Sequence, residues 1–131
     1  MFDELNKVKE KAQKDKDVLA VLVFGSYLSG KGHRDIDVCL VLDKKLSNLE
    51  MSRKKLSYQK IASVLDIQIL QQLPLYIRME IINKNKPLLI KDEDKMFDAA
   101  RETVRDFEFF EKYYYDYLEY VKNGAKAKAI V

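Results

Sequence analysis

Residues 23–43 read Val-Phe-Gly-Ser-Tyr-Leu-Ser-Gly-Lys-Gly-His-Arg-Asp-Ile-Asp-Val-Cys-Leu-Val-Leu-Asp, and their pattern decides the fold. An apolar strand, Val18 to Phe24, runs into Gly25-Ser26 and a loop to Arg34 that carries three glycines. A second apolar strand, about Asp35 to Leu42, opens with two aspartates one residue apart, Asp35 and Asp37. Side chains alternate faces along a strand, so these two carboxylates point one way and Ile36, Val38 and Leu40 the other. Like charges held that close repel unless a cation sits between them. Hard oxygen donors suit Mg²⁺, which in proteins usually also holds substrate phosphates. The chemistry expected of the pair is metal-assisted transfer of a nucleotide or phosphoryl group.

Outward from this segment, strands and helices alternate. Phe2, Leu5, Val8 and Ala12 form a narrow apolar stripe on a helix over residues 2–14. Ser47-Asn-Leu-Glu50 is a capping-box pattern and starts a helix to about Ala62, whose Arg53-Lys54-Lys55 run is expected to face solvent. Val64 to Leu70 is a third strand, with Leu65, Ile67 and Ile69 on one face and Asp66 and Gln68 on the other. Pro74 opens a short helix ending near Asn83, and Pro87 to Ile90 is a strand kept at a sheet edge by its proline. Asp92-Glu-Asp94 then begins a long final helix to about Lys122, with Gly124 as its stop and the last residues fraying. The order predicts an α+β domain: one mixed sheet, helices mainly on one face, and a long C-terminal helix.

Size and composition narrow the classes. The 131 residues suit one domain, 1–131, and 47% hydrophobic with 34% charged residues is ordinary for a globular protein. No apolar run approaches the roughly 20 residues of a membrane span. The N-terminus lacks the layout of a signal peptide, and a cytoplasmic location is expected. The single cysteine, Cys39, excludes an internal disulfide and reads as a small buried core residue. A net charge of +3 is too balanced to call for nucleic acid.

A third ligand would fix a metal better than two. Asp66 qualifies, because an unpaired carboxylate inside an apolar strand is costly. The structural alternative is a strand-edge position, or pairing with Arg34 or Arg78. Gly25-Ser26 supplies the other half of a site: glycine lets backbone N–H groups approach phosphates closely, and the serine hydroxyl adds a donor. His33 and Lys31 read as loop surface residues.

Gly25-Ser26, eight intervening residues, Asp35-Ile-Asp37 before an apolar strand, and Asp66 on a later strand resemble the nucleotidyltransferase superfamily of DNA polymerase β. The chain length, the long final helix, and the segment Asn85-Lys86-Pro87-Leu88-Leu89-Ile90-Lys91-Asp92 leading to Arg101, Glu102 and Asp106-Phe107 resemble the minimal nucleotidyltransferase (MNT) antitoxins of HEPN/MNT toxin–antitoxin pairs. The resemblance implies a polymerase β-like fold and a two-metal nucleotidyl transfer from ATP. Asp35 and Asp37 would bind both Mg²⁺ ions, and Asp66 would complete one site and help deprotonate the attacking hydroxyl. Gly25 and Ser26 would hold the triphosphate. Arg34 stands where many members have serine, and either contacts the triphosphate or faces solvent. The implied acceptor is a tyrosine hydroxyl of a HEPN RNase toxin, which AMP silences. The alternatives are an antitoxin that acts by occlusion alone, or a nucleotidyltransferase of small molecules.

The final helix adds a partner signal. Phe97, Ala100, Val104, Phe107, Phe110, Tyr114, Tyr117 and Val121 recur at helical steps as a core-facing stripe, while Phe109, Tyr113, Tyr115 and Tyr120 fall off it. One small sheet cannot bury aromatics on all sides of a helix. The surplus predicts a homo- or hetero-oligomeric contact.

Overall fold

A computed structural model describes residues 2–25 and 36–130, with side chains described from 3 to 124 within those spans. Four strands form one sheet: β1 (Val18–Phe24), β2 (Ile36–Leu42), β3 (Leu65–Ile69) and β4 (Lys86–Ile90), in the spatial order β3-β2-β1-β4. β1 runs antiparallel to both β2 and β4, and β2 pairs parallel with β3. The sheet is therefore mixed, and Pro87 lies on an edge strand as its missing N–H requires.

Alternation sends the two faces of the sheet to two helical layers, a pair of helices on each. This corrects the expectation of helices mainly on one face: the β4 edge strand and the apolar residues of the second face give the later two helices a surface to cover. Val21 and Val23 of β1, Ile36, Val38, Leu40 and Leu42 of β2, and Leu65, Ile67 and Ile69 of β3 pack under α1 (Phe2–Lys14) and α2 (Asn48–Ile61). Leu5, Val8 and Ala12 supply the α1 stripe, and Met51 and Tyr58, two turns apart, supply that of α2. The opposite face carries Leu19, Ala20, Leu22, Cys39 and Val41, and meets α3 (Leu75–Asn83) and the start of α4 (Glu93–Ile130) through Ile77, Ile81 and Met96. A register shift between Val18 and Ala20 lets Leu19 and Ala20 both face this second layer. Leu70–Gln72 is a single 3₁₀ turn after β3. No helix among the described residues is long and apolar enough to cross a membrane.

Ser47 caps α2 as its sequence predicts: its hydroxyl accepts from Glu50 N at 3.1 Å and donates to the Glu50 carboxylate at 3.1 Å. Two further expectations are corrected. The basic run on α2 does not all face solvent. Arg53 is exposed, but Lys54 is only 16% exposed and pairs with Asp15 at 2.8 Å and Asp17 at 2.9 Å. Lys55 is half-buried and turns toward β3. Consecutive helical residues point about 100° apart, so three in a row cannot share one solvent face.

The second correction concerns α4. Its aromatic stripe is not in the core: Phe97 is 63% and Tyr117 61% exposed, and every residue from 108 to 123 is exposed. Only the first turns pack, through Met96 and the buried Thr103, whose hydroxyl donates to Ala99 O at 2.9 Å. The helix also runs through Gly124 to Ile130 instead of stopping. Its 38 residues span about 57 Å at 1.5 Å each, whereas a seven-residue strand spans about 23 Å, so most of α4 overshoots the sheet.

Candidate active site

The end of β1 and the beginnings of β2 and β3 lie at the same edge of the sheet. Phe24 pairs with Asp37 across the antiparallel ladder, and Asp37 pairs with Asp66 across the parallel one. Strands in a ladder are about 4.8 Å apart, and paired residues share a face, so the two carboxylates stand side by side. Asp37 shares the face of Cys39 and Val41, which α3 and α4 cover only in part. Asp37, Asp66 and Gln68 are half-buried there, whereas Ile36, Leu65 and Ile67 on the other face are buried.

Gly25 follows Phe24 with φ at +84°, a conformation that L side chains rarely adopt. A Cβ built at Gly25 would overlap an Asp37 carboxylate oxygen and lie 3.0 Å from its Cγ. The glycine thus makes room for the carboxylate at the strand end. The sequence predicts a phosphate-approach role for Gly25; its packing against Asp37 is visible only in three dimensions.

Asp66 Oδ1 accepts from the Gln68 amide at 3.1 Å, and Gln68 Oε1 accepts from the Lys55 ammonium at 3.2 Å. Arg78, a structural alternative for pairing Asp66, instead donates to the carbonyls of Leu73 at 2.6 Å and Gln71 at 3.3 Å. Gln68 and Lys55 were not singled out from the sequence as site residues. The available signal was the position of Gln68 two residues after Asp66 on the same face. Ser26, Arg34 and Asp35, with Lys31 and His33, lie outside the described residues.

Cys39 is fully buried and offers no nucleophile. Burial pushes its thiol up to about 12. Among the described residues, which exclude Asp35, no group of three His, Cys, Asp or Glu side chains gathers to hold a metal ion. The donors that are described nonetheless fit a hard cation: two in-register carboxylates that offer only oxygen ligands.

Comparison with known proteins agrees with this geometry. The family model for polymerase beta nucleotidyltransferases matches residues 6–94. A relative from Methanocaldococcus jannaschii, named as a protein adenylyltransferase, is 36% identical over 96 residues, covering 70% of this chain and 73% of its own. Among solved structures, a chain of a toxin–antitoxin complex with AMP-PNP superposes with a TM-score of 0.67 at 17% identity, covering 91% of this chain and 96% of its own. A chain from the complex of tri-AMPylated Shewanella oneidensis HEPN toxin with MNT antitoxin gives 0.66 at 15% identity, covering 92% and 96%. These structural likenesses establish the shared fold.

Proposed function

This chain belongs to the polymerase β nucleotidyltransferase family, and we propose that it is an antitoxin that transfers AMP from ATP to a tyrosine hydroxyl of a HEPN RNase toxin. The observation that carries the proposal is the row Gly25, Asp37, Asp66: two carboxylates in register at one sheet edge, one of them packed against a glycine. The name of the M. jannaschii relative and the toxin–antitoxin complexes among the fold's neighbours support the acceptor assignment.

In this proposal Asp35 and Asp37 would hold two Mg²⁺ ions, with Asp66 completing the set. The chemistry so supplied would be stabilisation of the charge on the attacking and leaving oxygens of an in-line displacement at the α-phosphorus. Asp66 accepts the proton of the incoming tyrosine hydroxyl as the phenolic oxygen bonds to phosphorus and pyrophosphate departs. The backbone at Gly25 and the Ser26 hydroxyl hold the triphosphate, and Arg34 lies close enough in sequence to contact it.

Acceptor delivery falls to α4. At 100° per residue, Phe109, Phe110, Tyr113, Tyr114, Tyr117 and Val121 occupy about half of the helix circumference. Glu108, Glu111, Asp116 and Glu119 lie on the other half, with Lys112 and Tyr115 among them. With Leu75 the aromatic side lines an apolar groove of about 580 Å³. An exposed aromatic surface of this extent is what a protein interface uses, and the toxin is its proposed occupant.

The test is transfer of label from α-³²P-ATP, with Mg²⁺, to the product of the neighbouring gene or to a HEPN toxin supplied in its place. Labelling that vanishes in Asp35→Asn is expected. Labelling that survives that change refutes the catalytic assignment, and neutralisation that survives without labelling indicates occlusion.

A further inference from the structure

We propose that Lys55 and Gln68 are positioning residues for Asp66, and that they determine which of its carboxylate oxygens faces the bound divalent cation. The inference rests on the metal-dependent reading of the site. Gln68 lies two residues beyond Asp66 on β3, so the two side chains share a face. The amide nitrogen of Gln68 is 3.1 Å from Asp66 Oδ1, and its oxygen is 3.2 Å from Lys55 Nζ.

A glutamine amide can be turned either way, but here only one orientation is compatible with its neighbours. An ammonium has three donors and no acceptor, and an ionised carboxylate only accepts. The reversed amide would set NH₂ against the ammonium and a carbonyl oxygen against the carboxylate, two repulsive contacts in place of two hydrogen bonds. Lys55 therefore aims the amide N–H at Oδ1.

Because that donor is neutral, Asp66 is oriented without having its charge cancelled, as it would be by a lysine or arginine bonded to it directly. Among the described residues no donor bonds Oδ2, which leaves that oxygen for the cation. Lys55 belongs to α2, on the far layer, and reaches Gln68 around the edge strand β3. The orientation of Asp66 is thereby tied to the seating of that helix. Outer partners of this kind typically change metal affinity by roughly 10–100-fold.

The experiment measures Mn²⁺ binding to the nucleotide-free protein by electron paramagnetic resonance, for wild type, Gln68→Leu, Lys55→Met, Lys55→Arg and Asp66→Asn. The Gln68 side-chain amide resonance is followed in the metal-free protein. The expected result is Mn²⁺ affinity weakened about tenfold in Gln68→Leu and less in Lys55→Met, with near wild-type affinity in Lys55→Arg. The Gln68 amide resonance should move in both Lys55→Met and Asp66→Asn. Wild-type affinity in both Gln68→Leu and Lys55→Met, with Asp66→Asn abolishing binding, overturns the positioning role alone. Unchanged binding in Asp66→Asn overturns the metal reading beneath it. Gln68 and Lys55 lie on different elements, so misfolding of one variant leaves the other to decide.

Discussion

Gly25 and Asp37 occupy space that only a glycine can share: a side chain at position 25 would lie inside the Asp37 carboxylate, and the backbone there has φ of +84°. Gly25→Ala therefore carries two penalties. The left-handed conformation costs about 1–2 kcal/mol, and the carboxylate must move aside. A displacement near 1 Å at a reacting centre costs on the order of 100-fold in rate. AMP transfer should fall by at least that factor while circular dichroism still reports a folded protein.

Asp37→Asn and Asp66→Asn preserve shape and remove charge. Each should lower transfer by roughly a thousandfold or more, since several kcal/mol of charge stabilisation is lost. Both proteins should still form a complex with the proposed toxin partner. Parallel measurements of label transfer and of co-elution on size exclusion check the two halves of this prediction.

At the other end of β1, Tyr58 donates to Asp15 at 2.9 Å from a fully buried position. Tyr58→Phe deletes that donor to a charged acceptor and should destabilise the fold by about 1.5–3 kcal/mol in urea unfolding. Val18 stands six residues from Phe24 along the strand, roughly 20 Å. Transfer by the folded fraction should be unaffected.

The same cluster sets an acid limit. Hydrogen bonds from Lys44 and Lys54 hold the Asp17 carboxyl down to about 2, from an ordinary value of 3.8. Burial pushes Asp15 upward, but bonds from Lys54, the Asp17 N–H and Tyr58 outweigh it, and the net direction is down. A carboxylate lowered in the folded state binds fewer protons there than in the unfolded chain. Its stabilisation is complete above about pH 4 and is lost as pH falls toward 2. The melting temperature should drop across that window, and the gap between wild type and Lys54→Met should narrow with it.

On α4, Phe110 is 47% and Tyr117 61% exposed, and the Phe110 and Tyr114 rings stack with centroids 6.2 Å apart. Phe110→Glu and Tyr117→Glu should leave stability within about 0.5 kcal/mol, because neither side chain is in the core. Toxin affinity should weaken at least about tenfold, as expected for aromatic anchors. Isothermal titration with the toxin measures this directly. Wild-type affinity in both variants would remove α4 from the interface.

Local signals carried most of the fold. The seven-residue apolar strands, the Ser47 cap, the Pro74 helix start and the alternation around Asp66 all reappear where periodicity and capping place them. These features depend on residues a few positions apart, and one chain segment contains all the information. Gly25, Asp37 and Asp66 stand out one by one for the same reason, since glycine at a strand end and aspartates inside apolar strands violate local expectation, but that they form one row does not. The Lys55–Gln68 pair was not, because nothing in either residue's neighbourhood announces the other.

By itself, then, the sequence determined which segments become strands and helices and which acids break their pattern, through short-range sterics and side-chain periodicity. Tertiary structure alone decided that Asp37 stands opposite Asp66, that Lys54 and Lys55 turn away from solvent, and that α4 projects beyond the sheet with its aromatics uncovered. Those outcomes follow from strand register and from the fit of helix length to sheet width. Both are settled only when distant segments pack together.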